Sequence, residues 1–121
     1  MHRLHFAPFL LFALLVAACE QAPEMPQQMR GELTGVWKQT DGPSSLRFYE
    51  DGTVMLRLAD RSPPLNFLST FELMKDGRIG IASGQVWLGP IVCEWAEGAT
   101  SMKVTIPDKE KHAMFFEKAG G

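Results

Sequence analysis

The chain is short of the side chains that do most chemistry. It has three histidines, and two of them, His2 and His5, fall within the first five residues. His112 is the third. The cysteines are two, Cys19 and Cys93. These counts leave no His-rich zinc site and no thiolate cluster. A Ser-His-acid triad would have to use His112, and no G-x-S-x-G elbow presents a serine. His112 sits on a strand-like run, alternating with Ala113 and Phe115, and is expected at the surface or rim. No glycine-rich phosphate loop or dinucleotide fingerprint is present. The acidic pairs Glu50 with Asp51, Glu94 with Glu97, and Asp108 with Glu110 lie in or beside turns, where acids solvate or cap a loop. No apolar run reaches the roughly 20 residues of a membrane-spanning helix. Basic residues are also in deficit, 12 against 14 acidic. That balance argues against a nucleic-acid partner and against charge-driven adhesion to anionic lipid.

What is present begins at the N-terminus. Met1-His2-Arg3 is a short basic start. Phe6 to Ala18 is an apolar run broken only by Pro8, and Ala17-Ala18 are small. Basic start, short apolar run and small residues are the three parts of a cleaved secretory signal. The stretch Val16-Ala17-Ala18-Cys19 resembles the lipobox of bacterial lipoproteins. The resemblance implies cleavage before Cys19, a diacylglyceryl group on its thiol, and often an acyl chain such as palmitate on its new amine. The alternative is an ordinary secretory signal whose cut falls near a cysteine. In that family an Asp after the Cys favours retention in the inner membrane. Glu20 stands there here, which implies the outer membrane, facing the periplasm.

Cleavage would leave residues 19–121, enough for one domain with one modest core. Arg3 is lost and no acid with it, so the net charge goes from −2 to −3. Residues 19–32 read as a lipidated flexible tether. Gln21, Pro23, Pro26, Gln27 and Gln28 dominate it, and it shows no apolar period. Extended throughout, it would lift the domain on the order of 40 Å from the membrane. Met25 and Met29 carry soft thioethers that suit Cu(I). Two methionines in a tether are more simply incidental, and no cofactor or metal is expected.

From Leu33 to the end the pattern is β. Leu46 and Phe48 alternate with Arg47 and Tyr49; Val54, Leu56 and Leu58 with Met55 and Arg57; Met102, Val104 and Ile106 with Lys103 and Thr105. Period-two alternation turns one face inward and one to water. No stretch after Cys19 holds a 3.6-residue period long enough for a helix. Asp51-Gly52 and Asp76-Gly77 separate strand-like runs and predict tight hairpins with φ > 0. Gly89-Pro90 divides Val86-Trp87-Leu88 from Ile91 to Trp95. The expectation is an all-β domain over 33–121, with about seven or eight short antiparallel strands. They form an up-and-down barrel or a strongly curved meander, since an open sheet would expose two edges. Ile91, Cys93 and Trp95 share one face, so Cys93 is expected as a buried apolar residue.

Gly35-Val36-Trp37 followed by Phe48-Tyr49-Glu50-Asp51-Gly52-Thr53 resembles the G-x-W … F-x-x-D-G-T pattern of lipocalin-like domains in small bacterial lipoproteins. The resemblance implies a barrel whose Trp37 plugs one end. It also implies a second end that admits a hydrophobic ligand. The chain is shorter than a full lipocalin and has no clear counterpart of that family's closing arginine. Trp87 is the candidate for binding a ligand or partner. It alternates against Val86 and Leu88 beside the Gly89-Pro90 break; the alternative is that it closes one end of the core. Three functions stay open. One is a non-enzymatic module that binds a protein or envelope component. Another is a carrier of a small lipophilic ligand. The third, an enzyme, has the least support, with no catalytic residue to name.

Overall fold

The computed structural model describes residues 24–108 and 112–119. The expected signal 1–18 and lipidation at Cys19 lie outside the described residues. The chain folds into eight antiparallel strands. They are β1 (Gly35–Gln39), β2 (Ser45–Phe48), β3 (Thr53–Leu58), β4 (Leu65–Leu73), β5 (Ile79–Ile81), β6 (Ile91–Glu94), β7 (Ser101–Thr105) and β8 (Ala113–Lys118). Each pairs with its sequence neighbour, and β1 pairs with β8, so the sheet closes into an up-and-down barrel. Closure leaves no free outer strand.

Alternation decides which side chains fill it. Trp37, Leu46, Leu56 and Phe67 follow one another around β1 to β4 in register. All four point inward. The same face of β5 to β8 adds Ile79, Ile81, Ile91, Cys93, Val104, Met114 and Phe116, each buried. An eight-stranded barrel has an interior just wide enough for side chains or one small ligand. Phe48 and Phe71 meet edge-to-face inside it at 5.0 Å.

The hairpin turns differ from the two-residue form expected of Asp-Gly. Tyr49 N–H donates to Thr53 O (2.9 Å), and Gly52 N–H donates to Tyr49 O (3.3 Å). That is a three-residue loop, a turn closed by a glycine bulge, with Gly52 at φ +92°. Met74 to Arg78 repeats it, with Gly77 at φ +90°. The aspartates cap these turns, as acids beside a turn are expected to. Asp51 Oδ1 accepts the Thr53 N–H at 3.0 Å and its hydroxyl at 2.6 Å. Asp76 holds Arg78 in the same way.

A helix, α1 (Gln27–Leu33), precedes the barrel. All of it but Leu33 falls inside the segment expected to be a flexible tether. Seven residues are too few to form a helix unaided, so its stability comes from packing. Leu33 is fully buried, Met25 is buried, and Met29 packs against the same core. The two methionines are thus apolar anchors. The folded body starts by residue 24 and not at 33. A helix of two turns shows too little of its period to be read from sequence alone.

Candidate binding surface

The barrel has two unlike ends. One carries α1, the β2–β3 and β4–β5 turns, residues 95–100 and the end of β8. Trp37 belongs to it. Its indole N–H donates to Leu33 O at 2.9 Å, and its ring meets Trp95 edge-on at 6.3 Å. Lys118 Nζ lies 5.9 Å from the Trp37 ring and donates to Glu32 O. One cation thus joins the last strand to the tryptophan and to α1. Trp95 N–H in turn donates to Ala99 O at 2.8 Å. This end is covered.

The other end carries the longer connections. β4 pairs with β5 only at Phe71–Leu73. Just past β5, Ala82 is held to β4, its N–H donating to Thr70 O (3.0 Å) and its carbonyl accepting from Ser69 Oγ, and residues 83–90 then loop over to β6. Val86-Trp87-Leu88, expected as a strand, lies in this loop. Gly84 and Gly89, at φ +63° and +87°, turn the chain on either side. Ser83 Oγ ties the loop across itself, within hydrogen-bond distance of Trp87 O (3.0 Å) and Gly89 O (2.6 Å).

Trp87 is half-buried, so neither expectation for it holds alone. Its ring packs on the core and also lines the surface. The Arg61 guanidinium lies 5.5 Å from that ring. Arg61 contacts Asp60 (3.4 Å), and Asp60 Oδ2 reaches His112 Nε2 at 3.1 Å. Three connections are linked this way, and His112 is an exposed rim residue as expected. The flanking Leu88 is 96% exposed and Val86 is exposed as well. Below the loop an open depression of about 680 Å³ runs along β4 and β5, lined by Glu72, Met74, Gly80, Trp87 and Pro90. Gly80 keeps its floor low, because a Cβ there would stand 3.2 Å from Met74 Cγ. A tryptophan beside exposed aliphatic side chains and an open groove is suited to gripping a partner.

The outward faces of β1 to β4 form a second surface. One cross-strand row reads Lys38, Ser45, Arg57, Asn66; the next reads Val36, Arg47, Met55, Leu68. Lys38, Arg47 and Arg57 are exposed. None of the three has a carboxylate within 4.0 Å among the described residues. Arg47 stacks on Tyr49 at 5.8 Å.

Cys93 is fully buried, and burial pushes its thiol up to about 12. Among the described residues no group of three or more His, Cys, Asp or Glu could hold a metal ion, and no helix is long and apolar enough to cross a membrane. The described chain is therefore a closed, eight-stranded, antiparallel up-and-down β-barrel with one covered end and one loop-bearing end. No family model, curated protein or solved structure matches it well enough to carry an argument.

Proposed function

We propose that this is an envelope lipoprotein, anchored through Cys19, whose barrel is a non-enzymatic module that binds a protein or envelope component. The outer membrane, facing the periplasm, is the location implied by Glu20. The packed interior carries the proposal. Leu46, Leu56, Ile79, Ile81, Ile91, Ile106 and Phe116 are fully buried and belong to one cluster. A barrel filled by its own side chains binds with its outside. The outside offers Trp87 with Val86, Leu88 and the groove beneath them. Trp37 at the covered end, clamped by Leu33 O and Lys118, supports the lipocalin-like reading and gives that residue a structural role.

Two measurements test this. Cys19→Ala should remove the protein from membranes washed in high salt, which screens surface charge; persistence there would rule out the lipid anchor. A photo-crosslinker at Leu88 should give one discrete adduct in cell envelopes, and Trp87→Ala should abolish it. Native mass spectrometry that found a lipid-sized adduct, lost on unfolding, would replace this function with that of a lipophilic-ligand carrier.

A further inference from the structure

The whole-chain charge conceals an uneven distribution. The eight outward residues in the two rows of β1 to β4 include three cations and no acid. Among them Met55 and Leu68 pair directly across β3 and β4 and are both exposed, Leu68 at 57%. The register brings Arg47 and Arg57 into diagonal neighbourhood, since Arg47 pairs with Met55 and Arg57 stands two residues on. Like charges so placed repel, and no described carboxylate lies within 4.0 Å of either; the nearest acid in register is Glu117, which faces Lys38 across β1 and β8.

We infer that this face, with Lys38, Arg47 and Arg57 around Met55 and Leu68, rests on an anionic phospholipid bilayer. The inference rests on the anchor at Cys19. Three observations lead to the bilayer. The charge is complementary, and cations beside a membrane are attracted by its anionic headgroups. The face is the convex outside of a barrel, so its two apolar side chains protrude without a pocket of their own, as shallow insertion into lipid requires. The third is reach. Because the folded body starts by residue 24, only four residues separate Cys19 from Glu24, five Cα-to-Cα steps. Five such steps span at most about 18 Å in any conformation. Arg30 Nη1 donates to Glu50 O at 3.2 Å, in the turn that joins β2 to β3, and Met25 and Glu50 line one open pocket beside it. The anchor therefore attaches at the end of the strands that carry Arg47 and Arg57. That end exposes Glu24, Glu50 and Asp51. Standing upright would press these acids toward anionic headgroups. Lying on the β1–β4 side turns the three cations to them instead.

The test uses the full mature lipidated protein in vesicles, with an environment-sensitive fluorophore at Leu68→Cys or at Lys103→Cys. Lys103 lies on β7, four strands from β3. Cys93 is buried and stays unlabelled. Spin-labelled lipids should quench the probe at 68 in phosphatidylcholine vesicles that contain phosphatidylglycerol, and quench the probe at 103 far less. Lys38→Glu with Arg47→Glu and Arg57→Glu should remove the difference, with circular dichroism unchanged. Equal quenching at 68 and 103, in protein that floats with the vesicles, would overturn the inference and leave the anchor intact. Mass spectrometry that found Cys19 unmodified would refute the anchor. The three cations alone would then hold the protein to anionic vesicles; at about fivefold per cation, losing all three weakens binding on the order of a hundredfold, and the charge-reversed triple variant should lose at least that much. No difference in that arm would also overturn the inference.

Discussion

Replacing Trp37 by phenylalanine tests how the covered end is held. The indole N–H donates to Leu33 O at 2.9 Å in a buried setting. Losing it strands a carbonyl in the core, at a cost of about 1–3 kcal/mol. Phenylalanine is also smaller by roughly 40 Å³, and at about 24 cal/mol per Å³ of unfilled space this adds about 1 kcal/mol. The edge-to-face contact with Trp95 and the Lys118 cation survive in part, because a ring remains. The sum is about 2–4 kcal/mol, a large share of the roughly 5–15 kcal/mol that stabilises a domain. The melting temperature should fall on the order of 15 °C. Urea unfolding followed by far-ultraviolet circular dichroism measures the loss. Hydrogen exchange locates it, because the amides of Arg30 and Thr34, bonded to Pro26 O and Arg30 O, should exchange faster as α1 loosens. A loss below about 1 kcal/mol with unchanged exchange in α1 would refute this clamp.

Other consequences are equally direct. Cys93 should resist alkylation at pH 8 until the protein unfolds, and rapid labelling of the native protein would contradict its burial. Its thiol titrates near 9.0 when unfolded and about 12 when folded, so above pH 9 the unfolded chain binds fewer protons. Stability should then fall by about 1.4 kcal/mol per pH unit between pH 9 and 12 through this group. Alkaline unfolding of Cys93→Ala should lack that component, and identical slopes would refute it. Gly52→Ala and Gly77→Ala should each cost about 1–2 kcal/mol in chemical denaturation, since both positions need positive φ. Asp51 and Asp76 are held below the usual carboxylate range, first by the Thr53 hydroxyl and the Arg78 side chain respectively. Their stabilisation is present above the unfolded pKa and lost as pH falls through the folded value. NMR titration should place both midpoints below 3.8, and Thr53→Ala should bring Asp51 back up.

The strands were legible because their cause is local. A period of two in Leu46–Phe48, Val54–Leu58 and Met102–Ile106 states which side chains must leave water, whatever they meet. Gly52 and Gly77 marked the hairpins because few other residues take their φ. Cys93 read as buried for the same reason as its neighbours Ile91 and Trp95. The Asp-Gly pairs differ from expectation in loop length, because a glycine bulge makes each hairpin loop three residues long, while the carboxylates cap the turns. Val86-Trp87-Leu88 looked like a strand from its apolar run, yet Gly84, Gly89 and the Ser83 hydroxyl make it a loop.

By itself the sequence determined that the domain is β, where its chain reverses, and which face of each strand is inside. Those follow from side-chain period and backbone freedom within a few residues. Only the tertiary structure decided that the sheet closes on itself through β1 and β8. It also decided that residues 27–33 form a helix, because Met25, Met29 and Leu33 join the core of the barrel and the helix is tied to Glu50 and Lys118, far along the chain. The basic face has the same origin. Lys38, Arg47 and Arg57 are separate charges in a slightly acidic chain until strand register sets them side by side. Net charge is a sum over residues, whereas a surface potential depends on which of them become neighbours.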